Sequence, residues 1–373
     1  MVLPSKKKKK ILLYGPTLSP RKTKNVYGGG VGGYTRNMAV YLTYYKRDDF
    51  EFIPCFHTVR GELKLDFFVW RMIIDTCNFI RALITSNADV VHVLAQYRMA
   101  IYREFVICLI TKISGKPFLY EVKAGSFITW YNSRIFLARL IVRFIISSSD
   151  VVLVEGKAYL SFIAEEFNKK SYYFPNFVPT PEVPTSVPVR LTGSVIKILF
   201  VGYCYNGKGI IELIEGCDSA VKKGVKIELS VIGQESPSYT KWLDNYSLSQ
   251  GFILRRLGRL PHREVLRHFS KNDIYFYPTS HSGEGHNNSI NEAMMMRLVI
   301  ATTRHGFLES ILEDRAYFLE EITPESIADL IIFININRDE AVRKAIAGYE
   351  YLKMNLTSDV AFSMLSNFYR RLT

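Results

Sequence analysis

Apolar and polar positions along this chain follow two periods. Short apolar runs that stop at turn residues predict buried strands, and longer stretches with apolar residues three and four apart predict helices. Residues 11–14, 51–56, 89–93, 118–122 and 150–155 are of the first kind. Between them, residues 34–45, 69–84, 102–113 and 134–146 are of the second. Alternation of this sort predicts a parallel sheet covered on both faces. Pro175, Pro179, Pro181, Pro184 and Pro188 then fall within 14 residues and predict a linker. A second alternation follows. Strands are predicted over 197–201, 226–232, 253–260, 273–278 and 298–302, with a loop over 202–209, a helix from Ile210, a loop over 261–266 and a helix over 290–296. The tail, 338–371, has a helical pattern anchored by Tyr349, Tyr351, Phe362, Leu365 and Phe368. The fold class read from this is α/β, divided into residues 1–185, 186–340 and a C-terminal helix over 341–373.

Composition fits that picture. At 373 residues and 48% hydrophobic, the chain can bury two cores. No apolar run reaches the roughly 18–20 residues of a spanning helix; the nearest, 135–146, is interrupted by Arg139 and Arg143. Residues 11–14 are too short for the apolar region of a signal peptide. Cys55, Cys77, Cys108, Cys204 and Cys217 show neither a C-x-x-C pair nor metal spacing, so they read as buried thiols in a reducing, cytoplasmic compartment.

Charge changes the picture more. Up to Thr185 there are 26 Lys and Arg against 14 Asp and Glu; from Ser186 on, 22 against 21. A basic half can face nucleic acid, an anionic membrane surface or an anionic substrate, or be basic with no polyanion partner. The run Lys6 to Lys10 is either a solvated leader or an electrostatic tether. The basic stretch 134–146, preceded by Trp130 and Tyr131, either lies at a membrane interface or packs on the sheet with its arginines in water.

Candidate chemistry concentrates between Glu284 and Glu292, eight positions apart. The pattern there is strand, loop, helix N-terminus, and the loop holds Gly283, Gly285, His286, Asn287 and Asn288. A helix N-terminus offers unpaired N–H groups and a positive dipole end to a phosphate. Carboxylates accept hydrogen bonds from sugar hydroxyls. A phosphate between two hydroxyl-bearing groups describes a nucleotide sugar, while the bland alternative is two solvated glutamates. Gly28, Gly30 and Gly33 fit G-x-G-x-x-G, with Asp48 and Asp49 about 20 residues on. That dinucleotide reading fails on position, because 13 residues separate the first strand from the motif and the acidic pair precedes the next strand.

The 282–294 segment resembles the E-x7-E motif of retaining GT-B glycosyltransferases, family 4 in particular. The resemblance implies two Rossmann-like domains facing across a cleft, the first for the acceptor and the second for the nucleotide sugar, with the last helix packing back onto the first. It implies that Glu284 meets the donor sugar, that Glu292 meets the ribose, and that the amides of Gly285, His286, Asn287 and Asn288 hold the diphosphate. Gly32 and Gly33 would bring further amides to it. The 202–209 loop is similar to the family's G-R-x-x-x-x-K-G: Lys208 matches the lysine, and Tyr203 stands where the arginine would be. Arg259 and Leu260 are the implied base contacts. Lys123 stands where the family places a histidine near the transferred sugar, so Glu284, Lys208 and Lys123 are the catalytic candidates. His92 is an acceptor-side candidate or a core histidine.

The implied reaction is retaining hexosyl transfer from a nucleotide-diphosphate sugar to a saccharide or lipid-linked saccharide, in surface polysaccharide or glycolipid assembly. No cofactor, metal or nucleic acid is expected, and the implied location is cytoplasmic, peripheral on the inner membrane face. Two other classes stay open: a nucleotide-sugar epimerase of the same fold, for which Glu121 is the one carboxylate at a suitable strand end of the first half, and a non-catalytic polyanion-binding protein.

Overall fold

Every residue of Val90–Ala95 (β3) and Phe118–Val122 (β4) is buried, as strands covered on both faces must be. They are the middle of a six-stranded parallel sheet ordered β2-β1-β3-β4-β5-β6. Its other members are β1 (Lys9–Pro16), β2 (Phe50–His57), β5 (Val151–Val154) and β6 (Tyr172–Tyr173). The computed structural model describes residues 8–16, 38–43, 45, 49–58, 67–95, 98–188, 190–205, 207–281 and 283–373. A second parallel sheet is ordered β12-β11-β10-β7-β8-β9. It comprises β7 (Val195–Val201), β8 (Lys226–Ile232), β9 (Ile253–Gly258), β10 (Ile274–Tyr277), β11 (Val299–Thr303) and β12 (Tyr317–Leu319). The α/β class with two parallel sheets is therefore as the sequence predicts.

The chain divides into Met1–Pro175 with Ser358–Thr373, and Asn176–Thr357. The linker pattern had placed this division ten residues later. The difference arises because the proline-rich stretch packs on the second unit. The Val178 N–H donates to the Leu356 carbonyl at 2.9 Å, and the Tyr349 hydroxyl donates to the Pro184 carbonyl at 2.6 Å.

The tail is two helices, Arg338–Asn355 and Ser358–Leu372. The chain leaves the first to form a bridge between Thr357 and Val178. The second helix belongs to the first unit, where Phe362 lies 4.4 Å from the Tyr45 ring and Ser366 exchanges a 2.7 Å hydrogen bond with the Tyr45 hydroxyl. Burial of Phe362, Leu365, Phe368 and Tyr369 contributes about 1.5–3 kcal/mol each.

Two local expectations are corrected. Residues 261–266 are not a loop: Pro261 caps a helix, His262–Lys271, whose inward side chains are Val265 and Phe269. Cys77 is exposed, whereas the other four cysteines are buried.

Candidate functional site

In the second sheet β8 lies on one side of β7 and β10 on the other. The strand order thus reverses between β7 and β10, and such a reversal opens a crevice beyond the carboxyl ends of the strands. The loops holding Lys208 and Glu284 leave those two ends. They are locked together. Gly209 has φ +63°, and a Cβ on it would lie 2.0 Å from the Pro278 carbonyl oxygen. Only glycine lets the two loops come this close. The Ser280 N–H donates to the Gly207 carbonyl at 3.1 Å. From the other side, Gly306 (φ +64°) sits where a Cβ would lie 2.1 Å from the Glu284 carbonyl.

Between the loops stands a buried polar trio. The Lys208 ammonium contacts the Glu284 carboxylate and donates to the Tyr277 hydroxyl at 2.8 Å. That hydroxyl donates to Glu284 Oε1 at 3.0 Å, and Thr279 Oγ1 donates to the same oxygen at 3.4 Å. Burial pulls the Lys208 amine down to about 8. The adjoining carboxylate favours the charged form and opposes that fall. The trio is a positive charge held at the switch point beside a carboxylate that can accept hydroxyl protons.

Eight positions on, Glu292 lies inside the Asn288–Met295 helix and is buried. Its Oε1 accepts a hydrogen bond from half-exposed His262 at 3.0 Å. Asn287 caps this helix, its Oδ1 accepting from the Ser289 N–H at 3.0 Å and the Ser289 hydroxyl at 2.7 Å. Asn288 opens the helix and Gly285 is half-buried in the approach to it. The His286 ring is turned inward. Its Nδ1 accepts from the Asn176 N–H at 3.0 Å, and its Nε2–H donates to Asn291 Oδ1 at 2.7 Å. Asn291 Nδ2 closes the ring onto the Asn176 carbonyl at 3.0 Å. The side chain of His286 therefore fixes the loop, and its carbonyl is held as well, accepting from Asn176 Nδ2 at 2.6 Å.

Beyond the ends of β8 and β9 lies an open depression of about 760 Å³, lined by Gly233, Gln234, Glu235 and the stretch from Arg256 to Arg259. Arg259 is at its edge, and Leu260 follows, half-buried. Arg256 is held by a double hydrogen bond to Glu235, at 3.0 and 2.5 Å. Tyr203 is exposed, its ring centroid 5.2 Å from that of Tyr205.

Two candidates of the first unit occupy a different setting. Lys123 is buried, its ammonium 3.1 Å from Glu121 Oε1 and 3.1 Å from the Phe174 carbonyl, to which it donates. His92 has no exposed surface; its Nε2 meets Glu121 Oε2 at 3.0 Å and its Nδ1 the Tyr369 hydroxyl at 2.7 Å. The Tyr41 hydroxyl donates to the same carboxylate at 2.6 Å. Burial alone would raise the Glu121 carboxyl, but Lys123, with help from His92 and Tyr41, more than offsets this and holds it below the usual range. Lys123 and His92 thus stand as buried partners of Glu121, which for His92 is the core-histidine alternative. Gly32 and Gly33 lie outside the described residues.

Sequence reasoning missed Tyr277, His262, Asn176 and Asn291. His262 and Asn176 act through partners 30 and 110 positions away, and Asn291 joins His286, five positions off, to Asn176, 115 positions off. Among the described residues no group of three or more His, Cys, Asp or Glu converges as a metal site.

Known structures share this fold. A glycosyltransferase from Rickettsia africae ESF-5 is 15% identical, over 98% of both chains, with a TM-score of 0.66. Sucrose-phosphate synthase from Thermosynechococcus elongatus is 13% identical over 98% of this chain and 99% of its own, at 0.69. HepE from Anabaena, solved with UDP and glucose, is 11% identical over 96% and 99%, at 0.65. At these identities the likeness establishes the fold, that of the GT-B glycosyltransferases. No curated protein matches the chain in sequence. Residues 196–335, which carry Lys208, Glu284 and Glu292, do match the family described as glycosyl transferases group 1.

Proposed function

We propose that the protein transfers a hexose from a nucleotide-diphosphate sugar to a saccharide or lipid-linked saccharide, with retention at the anomeric carbon. The observation that carries this reading is the Lys208–Glu284 pair at the switch point between β7 and β10. Lys208 and the N-terminus of the Asn288–Met295 helix face the diphosphate, and the backbone of Gly285 to Asn288 holds it. Glu284 accepts from the sugar hydroxyls and Glu292 from the ribose. The depression beside Arg259 and Leu260 takes the base. In the transfer, the acceptor oxygen bonds to the anomeric carbon and the bond from that carbon to the phosphate oxygen breaks. The hydroxyl proton goes to the leaving diphosphate. Attack from the face the diphosphate leaves gives retention without a protein nucleophile, and the stabilising charge comes from Lys208 and the helix without a metal. UDP is the first base to try, since HepE of the same fold was solved with it. The acceptor reading places the enzyme in surface polysaccharide or glycolipid assembly, peripheral to a membrane on its cytoplasmic side.

The test is a metal-free thermal-shift series with UDP, GDP, ADP and CMP and their sugars. A rise with one nucleoside diphosphate, lost in Glu292→Ala, supports the site and names the base. No rise with any of them, far above a plausible dissociation constant, overturns the reading.

A further inference from the structure

The first unit carries a surface that the donor machinery does not use. The steps from β2 to β3, β3 to β4 and β4 to β5 all run in one direction across the sheet. Right-handed crossovers then place the helices Phe68–Ser86, Ala100–Ile113 and Phe136–Ser148 side by side on one face. Contacts confirm the layer. Arg103 of the second helix pairs with Asp75 of the first at 2.9 Å, and Phe105 of the second meets Phe144 of the third at 5.2 Å.

The outer side of this layer is apolar in stripes. Val69, Ile73, Ile80 and Ile84 run along the first helix, all exposed, Ile84 by 73%. Phe136, Leu140 and Phe144 run along the third at intervals of four, Phe136 exposed by 75%. Ile113 ends the second and is 78% exposed. Single exposed apolar residues are ordinary, but stripes on two helices of one layer, with Ile113 at the end of the helix between them, form a patch, and such a patch marks an interaction site.

Charge selects the partner. Between residues 67 and 149 the acidic side chains are Asp75, Asp89, Glu104 and Glu121. Three are fully buried, and Asp89 is half-buried and accepts the Lys10 N–H at 2.7 Å. No fully exposed carboxylate stands in this stretch. Arg81, Arg98, Lys112, Arg134, Arg139 and Arg143 are exposed. At its margin Lys112 is paired with Asp150 and Arg143 with Glu166.

We propose that this three-helix face docks on an anionic bilayer surface. The apolar stripes enter the headgroup boundary, and the arginines meet lipid phosphates. No described helix is long and apolar enough to cross a membrane, so the face lies on the bilayer. A second copy of the chain is the poorer occupant, because pairing the face with itself would oppose cation to cation with no exposed carboxylate between. The proposal deepens the lipid-linked acceptor reading above and rests on it for its purpose.

The experiment is co-flotation of the full chain with vesicles of phosphatidylcholine alone or mixed with phosphatidylglycerol. The wild type is expected to float with the mixed vesicles and to be released by high salt. Phe136→Ser with Leu140→Ser should cut that partition by about tenfold or more. Arg134→Gln with Arg139→Gln should cut it by about 30-fold, near fivefold per charge. Failure of the wild type to float, or variants that float like it, overturns the proposal. So does a stable oligomer that the Phe136 and Leu140 changes dissolve, since the face would then be a self-interface. Nucleoside diphosphate shifts are measured on the same samples: vesicle binding without any nucleotide shift sinks the donor reading alone, and the reverse sinks docking alone.

Discussion

The Lys208 ammonium and the Glu284 carboxylate come from loops 76 positions apart and meet across the point where the second sheet reverses its strand order. Neither is free to swing, since Tyr277 bonds both. Removing one partner leaves a buried charge unanswered. Glu284→Ala is therefore expected to destabilise the second unit by about 3–5 kcal/mol. Glu284→Gln keeps an acceptor for Tyr277 and should cost less, about 1–3 kcal/mol. Urea unfolding separates the two. In a sugar-transfer assay even the glutamine variant should lose about 10²–10³ in kcat.

Lys208 also sets a pH limit. Its amine is pulled down to about 8 by burial, so it is charged below that value and loses its proton above it. A diphosphate prefers the charged form. Affinity for the nucleoside diphosphate should thus be flat below about pH 8 and weaken above it, by up to tenfold per pH unit until the bound form also titrates. Arginine stays charged throughout this range. Calorimetry of Lys208→Arg should show a profile with no break near 8, and a break that persists there would assign it to another group.

How legible was this site in the sequence? Lys208, Glu284 and Glu292 were readable because each sits on a strand–loop–helix pattern where glycine, a short polar run and an apolar helix start occur in a row. Strand end Tyr277 read as core, which its ring is; that its hydroxyl reaches Glu284 follows from packing alone. The two sheets were legible wherever a strand ran four residues or more. Tyr172–Tyr173 and Tyr317–Leu319 are too short to show a period. The setting of Lys123 and His92 was hidden for a related reason: one follows the end of β4 and the other lies within β3, and neither position shows in sequence what the side chain meets. What buries His92 is Tyr369, 277 positions on, in a helix that joins the first unit only in three dimensions.

His262 offers a test of how Glu292 is oriented. The imidazole is half-exposed and touches Oε1 at 3.0 Å, holding the carboxylate rotamer at little cost to the core. His262→Ala should leave thermal stability nearly unchanged. It should weaken nucleoside diphosphate binding by about 2–10-fold, the worth of one hydrogen bond. The more telling readout is discrimination. The wild type should prefer the ribonucleotide over its 2′-deoxy form, and the gap should narrow in the variant. An unchanged gap would mean that Glu292 does not meet the ribose through the geometry His262 fixes.

The Glu121 network makes a separate prediction, about stability in acid. Glu121 accepts from Tyr41 and His92 and is ion-paired with Lys123, and these partners hold its carboxyl below the ordinary value of 4.5. A carboxyl depressed in the folded state stabilises above its unfolded pKa, and that contribution drains away as pH falls through the folded value. Glu121→Ala, which strands the Lys123 charge, should cost about 3–5 kcal/mol at neutral pH. Glu121→Gln should cost less at neutral pH, and below about 4.5 its deficit against the wild type should shrink, because the wild type is then losing the same charge. Denaturant titrations at a series of pH values measure both. A deficit that stays constant through the acid range would show that packing around residue 121, and not its ionised carboxylate, is what joins β3, β4 and the Ser358–Leu372 helix.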